Sequence, residues 1–257
     1  MREAVSMRVL LKSIAVSMVV AGLCSQSAVV QAASPSLAGK RVFYVTRLDE
    51  VPSATERQRD VQQHGLSADR TVAAHLQRLG CKVSFFDQTV DPSKAQGFDL
   101  VVLSSVVQSR EMADTGFRNV AVPLLTWEND LMDSLRLTGR RKGVDYGEVE
   151  KEHYIRIINA PHPLAGGLRD GKTYVYPRDV MMGWGVPARA ASVIATLPGE
   201  PDKAVVFGYE KGATMDHDFV APARRVALFL DNDTFANLSP DGLALFDAAV
   251  DWSMRTP

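Results

Sequence analysis

Cysteine is scarce in this chain: two in 257 residues. Cys24 sits in an N-terminal stretch that reads as a removable leader, which leaves Cys81 alone and excludes an internal disulfide in the remaining chain. Cys81 opens the apolar run Cys81-Lys82-Val83-Ser84-Phe85-Phe86 and reads as a buried strand cysteine, not a nucleophile. The five histidines, at 64, 75, 153, 162 and 217, form no His-x-x-x-His pair, so no metal site is expected. His75 is expected as a partly exposed helix residue. A Gly-rich phosphate loop and a Gly-x-Ser-x-Gly elbow are also missing, and no cofactor is expected. Positive charge is not in excess. The leader carries Arg2, Arg8, Lys12 and Glu3, so its loss takes the formal net charge from −1 to −3. That balance argues against a nucleic-acid partner. No internal repeat or low-complexity tract is present. After the leader, no apolar run approaches the ~20 residues needed to span a bilayer.

What is present begins with that leader. A basic start precedes an apolar run from Ser13 to Leu23, and Val30-Gln31-Ala32-Ala33 places small residues at a cleavage position. Residues 1–32 therefore read as a signal peptide, and the mature protein is expected to be exported, periplasmic or secreted. Leu23 is too bulky for a lipidation site at Cys24. Residues 33–257 are enough for one well-buried domain.

Short apolar, β-branched runs at Arg41–Thr46, Cys81–Phe86, Asp99–Ser104, Val120–Leu125 and Arg225–Leu230 read as strands buried on both faces. A polar loop is expected from Arg47 to about Gly65. A helix capped by Ser67 follows, carrying Val72, Ala73, Leu76 and Leu79 on one face before Gly80. A short helix is expected from Glu128, and a closing helix from Ser239-Pro240. Strands alternating with helices imply a parallel sheet with right-handed crossovers. The expected fold is thus α/β, a flavodoxin-like doubly wound parallel sheet. The second half differs. His153–Ile158, Thr173–Tyr176, Ala191–Leu197 and Ala204–Tyr209 read as strands joined by short turns, a β-rich addition of antiparallel strands.

Several segments together resemble one superfamily. The strand Asp99–Ser104, the strand Val120–Leu125 with its turn Thr126-Trp127-Glu128, and Ala160-Pro161-His162-Pro163-Leu164-Ala165-Gly166-Gly167-Leu168 are similar to the class I glutamine amidotransferase-like group, in its ThuA-like (trehalose-utilisation) branch. Gly183-Trp184-Gly185, Ala204–Gly212 and Arg225–Phe246 extend the resemblance over nearly all of residues 33–257. In the catalytic members a cysteine follows the strand that matches Val120–Leu125. Here Thr126 stands at that turn, and a hydroxyl without an adjacent base is a poor nucleophile. Nor does His162, in its Pro-His-Pro turn, match the catalytic histidine of the amidotransferases. Glutamine hydrolysis is therefore not expected.

Ligands of an open parallel sheet bind beyond the carboxyl ends of its strands. This places Thr46 and Arg47, Ser104 and Ser105, Thr126, Trp127 and Glu128, and Asp231, Asn232 and Asp233 around one crevice. Trp127 offers a face for a sugar ring or a cap for the core. Glu128 offers a carboxylate for hydroxyls or a charge suited to a helix start. His162 offers a base or a local hydrogen-bonding cap. Asp231-Asn232-Asp233 offers oxygens for a cation or sugar hydroxyls, or an ordinary turn. Three functions follow: binding of a small polar ligand, carbohydrate in class; a hydrolase or sugar-modifying enzyme with Glu128, His162 and Asp231 as acid–base groups; or an envelope scaffold using the β-rich half.

Overall fold

A computed structural model describes residues 37–49, 54–114 and 116–255. The expected leader, residues 1–32, lies outside them. Five strands run parallel at the centre: β1 (Arg41–Thr46), β2 (Lys82–Asp87), β3 (Leu100–Leu103), β4 (Leu124–Thr126) and, after a long excursion, β11 (Arg225–Leu228), in the order β2-β1-β3-β4-β11. This is the 2-1-3-4-5 order of flavodoxin-type sheets, whose switch point lies between β1 and β3. Both faces of β1, β3, β4 and β11 are covered, which is why they read as apolar runs, while β2, at the edge, is half-buried. Val42 and Tyr44 pack with Val72 and Leu76 of α1 (Glu56–Arg78) and Leu245 and Phe246 of α3 (Pro240–Met254). Phe43 and Val45 face the opposite core, with Phe117, Leu131 and Leu135.

The long excursion supplies six antiparallel strands, as the β-rich second half implied. They are β5 (Tyr146–Glu152), β6 (Tyr154–Ile157), β7 (Gly171–Tyr174), β8 (Val180–Gly185), β9 (Ser192–Leu197) and β10 (Glu200–Tyr209). β10 pairs antiparallel with β11, and β9, β6 and β7 continue the sheet outward. β5 and β8 form an arm that joins β10 at Gly185–Ala204. Along this arm Gly147 faces Trp184, and a Cβ on Gly147 would lie 2.7 Å from the indole; only glycine permits that approach.

The sequence expectations need four adjustments. Helix α1 starts at Glu56, not Ser67, because Thr55 and Gln58 form a reciprocal capping box: Gln58 N donates to Thr55 Oγ1 at 3.3 Å and Thr55 N to Gln58 Oε1 at 2.8 Å. The expected loop is correspondingly short. The segment 120–125 becomes strand only at Leu124, after a 3-10 turn at Phe117–Asn119. The helix expected from Glu128 is one 3-10 turn, Asn129–Leu131. His75 is buried, packed against Phe235 and Phe246 and paired through Nε2 with Asp247 Oδ1 of α3.

One buried cation fixes the base of the sheet. Arg225, at the start of β11, is fully buried, and its guanidinium donates to the carbonyls of Arg118, Val120, Val122, Ala223 and Arg224 at 2.6–3.2 Å. Desolvation lowers its pKa to about 10. Carbonyl dipoles hold this charge, tying the turn before β4 to the turn before β11. Among the described residues no helix is long and apolar enough to cross a membrane.

Candidate functional site

The carboxyl ends of β1, β3, β4 and β11 do meet at one crevice, but the side chains divide into two groups. The first turns inward. At the switch point, Asp69 of α1 is 1% exposed and accepts from Tyr44 Oη at 2.9 Å, Ser104 Oγ at 2.6 Å and Thr46 Oγ1. Burial raises its carboxyl to about 6, against the three hydroxyls, which lower it. Ser104 Oγ also accepts from Val106 N at 3.1 Å. Thr46 and Ser104, expected at the ligand, therefore serve a buried carboxylate that positions strand ends and helix. Asp69 lies three and seven residues before Val72 and Leu76. An acid on the apolar face of a helix was the available signal.

Thr126 and Trp127 also belong to the frame. Thr126 is fully buried; its Oγ1 donates to Leu103 O and accepts from Glu128 N, both at 3.0 Å. Its hydroxyl shapes the turn that follows. Trp127, 3% exposed, meets Tyr44 and Phe246 edge-on, with ring centroids 6.3 and 6.2 Å away. Its indole packs into the α1/α3 core, and the residue also borders the cavity described next.

The second group lines a cavity of ≈ 300 Å³ above β3, β4 and β11, with walls that include Ser105, Glu128, Asn129, Glu148 and Asp231. Glu128 accepts from Asp130 N through Oε1 at 3.0 Å. Burial, joined by the charges of Asp130, Glu148 and Asp231, raises its carboxyl to about 8. At neutral pH it is mostly protonated and can donate a hydrogen bond. Burial and Asp233 push Asp231 above its ordinary range, although Asn232 N opposes them. Burial and Asp231 do the same to Glu148. The Asp231 loop is closed by Thr234, whose Oγ1 accepts from Asp231 N at 2.9 Å and is buttressed by Tyr176 Oη at 2.9 Å.

The arm forms the far wall. Gly183 N of β8 donates to Phe229 O at 3.4 Å, and Glu148 of β5 stands opposite Gly183. Asn129 donates through Nδ2 to Trp184 O at 3.2 Å. That carbonyl fixes the amide orientation. Asn129 Oδ1 is left buried without a partner, as is Ser105 Oγ. Buried polar groups are rarely left so. Glu148 was missed in the sequence because β5 carries mostly charged residues, and Asn129 because the carbonyl that orients it lies 55 residues away.

Beside this cavity lies a larger one, ≈ 770 Å³, between α1 and the loops after β1 and β11. Arg47 and Asp233 line it. Arg47 donates through Nε to Asp49 Oδ1 at 3.1 Å, and Asp233 pairs with His64 at 3.0 Å. Gln108, Asp231 and Asn232 line both cavities. The chemistry concentrates in the smaller.

His162 stands apart. Its Nδ1 accepts from Leu164 N at 3.2 Å, capping the turn Pro163–Ala165, and its ring lies 5.6 Å from that of Trp252. Burial lowers its pKa, while Glu210 and Arg224 act on it with opposite signs. Arg224 precedes β11 and Asp231 follows it, so His162 belongs to the opposite end of the sheet. Glu128 and Asp231 converge; His162 does not join them. Among the described residues, no three His, Cys, Asp or Glu side chains are placed to hold a metal ion.

No family model and no curated protein matches the sequence. Solved structures do match. A protein described as ThuA-like from Bacteroides uniformis ATCC 8492 shares 11% identity, with a TM-score of 0.52 over 84% of this chain and 91% of that one. A protein from Thermoplasma acidophilum, described as a GMP synthase subunit, shares 14% identity, with a TM-score of 0.44 over 82% of this chain and 92% of that one. An exo-β-1,4-mannosidase from Opitutaceae bacterium strain TAV5 shares 9% identity, with a TM-score of 0.39 over 85% of this chain and 36% of that one. With the strand order and the β-rich second half, the first of these likenesses shows the fold: this chain has the fold of a ThuA-like protein, as its sequence resemblance implied.

Proposed function

We propose that the cavity walled by Glu128, Asn129 and Asp231 binds a small hydroxyl-bearing ligand, a carbohydrate in class, and that the protein does so outside the cytoplasm without hydrolysing glutamine. One observation carries the binding reading: Asn129 Oδ1 is a buried acceptor without a partner on a wall rich in carboxyls. No donor among the described residues bonds to it, and a polyol supplies several. Thr126 argues against glutamine hydrolysis, since its hydroxyl already donates to one backbone group and accepts from another. Export rests on the basic, apolar and small-residue order of residues 2–33. Glycan-array binding followed by calorimetry on the wild type and Asp231→Asn tests the site. A sugar held by the wild type and at least about tenfold more weakly by the variant supports it. A blank array overturns it.

A second reading, acid–base catalysis, is favoured by two carboxyls on one cavity. Glu128 holds its proton to about pH 8, and burial also raises Asp231 above its ordinary range. A carboxyl that keeps its proton beside a second carboxyl suits acid–base work. Turnover of chromogenic glycosides, abolished in Glu128→Gln, would select this reading over binding alone. The scaffold alternative has less support: the exposed apolar residues of the β-rich half, such as Val144, Ile158, Tyr174 and Val220, sit on different segments.

A further inference from the structure

The smaller cavity is unbalanced in charge. Four of its lining residues are acids, Glu128, Asp130, Glu148 and Asp231, against Arg110 alone among cations. Asp130 is paired with Lys142 Nζ at 2.5 Å on the rim. Glu148 and Asp231 have no ion pair among the described residues. Their neighbours include each other: Asp231 raises the carboxyls of both Glu148 and Glu128 by repulsion. The Lys142 ammonium acts on Glu148 as well as on Asp130, while the charge acting on Asp231 is the like charge of Asp233. Crowded carboxylates destabilise one another, and a further cation relieves them. The orphaned Asn129 Oδ1 is independent of this charge, and it too calls for a donor.

Two kinds of cation meet these demands, a metal ion or an organic ammonium. A metal needs several oxygens converging within about 2.6 Å of one point. No three acidic side chains among the described residues are placed to hold one. The charge is instead spread along a wall of a ≈ 300 Å³ cavity, room for a small molecule of sugar size and far more than a bare ion fills. An ammonium presents three N–H donors and no acceptor, complementary to a wall of carboxylates and an amide oxygen.

We propose that the ligand carries a positively charged amine, an amino sugar or amino polyol in class, with its ammonium seated between Glu148 and Asp231 and a donor on Asn129 Oδ1. This rests on the reading that the crevice binds a small hydroxyl-bearing molecule, and narrows it.

Matched pairs differing by one hydroxyl exchanged for an ammonium separate the two: glucosamine and glucose, galactosamine and galactose, mannosamine and mannose, glucamine and sorbitol. Calorimetry of each, below the amine's pKa, is run on the wild type, Glu148→Gln and Asp231→Asn. The expected result is that in at least one pair the amine binds about tenfold tighter or more. The preference shrinks in both variants and in high salt. Glu148 is exposed on β5, so that variant keeps the fold, checked by circular dichroism. Equal binding of both members, or tighter binding of the neutral one, overturns the amine and leaves the hydroxyl-binding crevice standing. Failure of every member to bind, together with a blank glycan array, overturns both.

Discussion

Replacing Glu128 with glutamine should change how stability depends on pH more than it changes stability itself. Burial raises the Glu128 carboxyl from the ordinary 4.5 to about 8. The folded state therefore holds this proton more tightly than the unfolded chain. Its contribution to stability is complete below about pH 4.5 and is lost progressively as pH rises to about 8. At 1.36 kcal/mol per pKa unit, the loss reaches about 5 kcal/mol above pH 8, and about 3 kcal/mol is already gone at neutral pH. Against a net stability of about 5–15 kcal/mol, that is a large share. Glu128→Gln removes the titration and keeps an oxygen to accept from Asp130 N.

Denaturant unfolding of both proteins across this pH range gives the test. Near pH 4.5 the two should be similarly stable. As pH rises, the wild type should fall behind, with the difference opening to several kcal/mol by about pH 8. Asp69, raised to about 6 by burial, loses stability in the same direction, but equally in both proteins, so it cancels. The repulsion of Glu148 and Asp231 against Glu128 is already contained in its raised value. Curves that stay parallel across the range would refute the buried, protonated Glu128. So would a variant that is less stable above pH 8.

Two further substitutions test the frame. Arg225→Met should cost ~3–5 kcal/mol in denaturant or thermal unfolding, because five carbonyls, two of them in fully buried bonds, lose the guanidinium as donor. Arg225→Lys should not restore it, since an ammonium lacks the planar fork; a loss below ~1 kcal/mol in either would show that the turns hold without the clamp. Asp69→Ala should destabilise by ~2–4 kcal/mol, as Tyr44, Thr46 and Ser104 lose their shared acceptor. Its amide exchange should quicken first at the ends of β1 and β3, and exchange that quickens evenly over the whole sheet would contradict a local positioning role.

The parallel core was legible because strands buried on both faces carry their own signature. Arg41–Thr46 and Leu100–Leu103 are apolar at nearly every position, and strand order then placed Glu128 and Asp231 at one end. Trp127 was legible in part. Side chains alternate along a strand, so 125 and 127 share a face. Leu125 belongs to the α1/α3 core, and Trp127 follows it there. His162 shows the limit of local reading. Its two flanking prolines announce a rigid turn, yet nothing within the turn says at which end of the sheet it lies. That is set by pairing with Trp252 and Arg224, 90 and 62 residues further on. Asp69 failed for the same reason, since its three hydroxyl partners lie 23–35 residues away. The first half of α1 and the β5 strand were missed because both are polar and solvated, held by caps and cross-strand pairing more than by apolar burial.

That last miss bears on the site more than the others do. Strand ends alone leave Glu128 on an open rim, where a carboxylate would ionise in the ordinary range. The arm of β5 and β8 changes this. It is anchored over the end of β11 by Gly183 N on Phe229 O and over the turn after β4 by Asn129 on Trp184 O. It closes the rim, desolvates Glu128 and brings Glu148 toward Asp231. The unpartnered amide oxygen and the unbalanced charge both arise where the arm meets the parallel sheet. A chain with the parallel strands but without the arm would keep the crevice and lose the chemistry. Relatives of the same strand order should therefore be compared at residues 146–152 and 180–185, where the arm meets the crevice, before their strand ends.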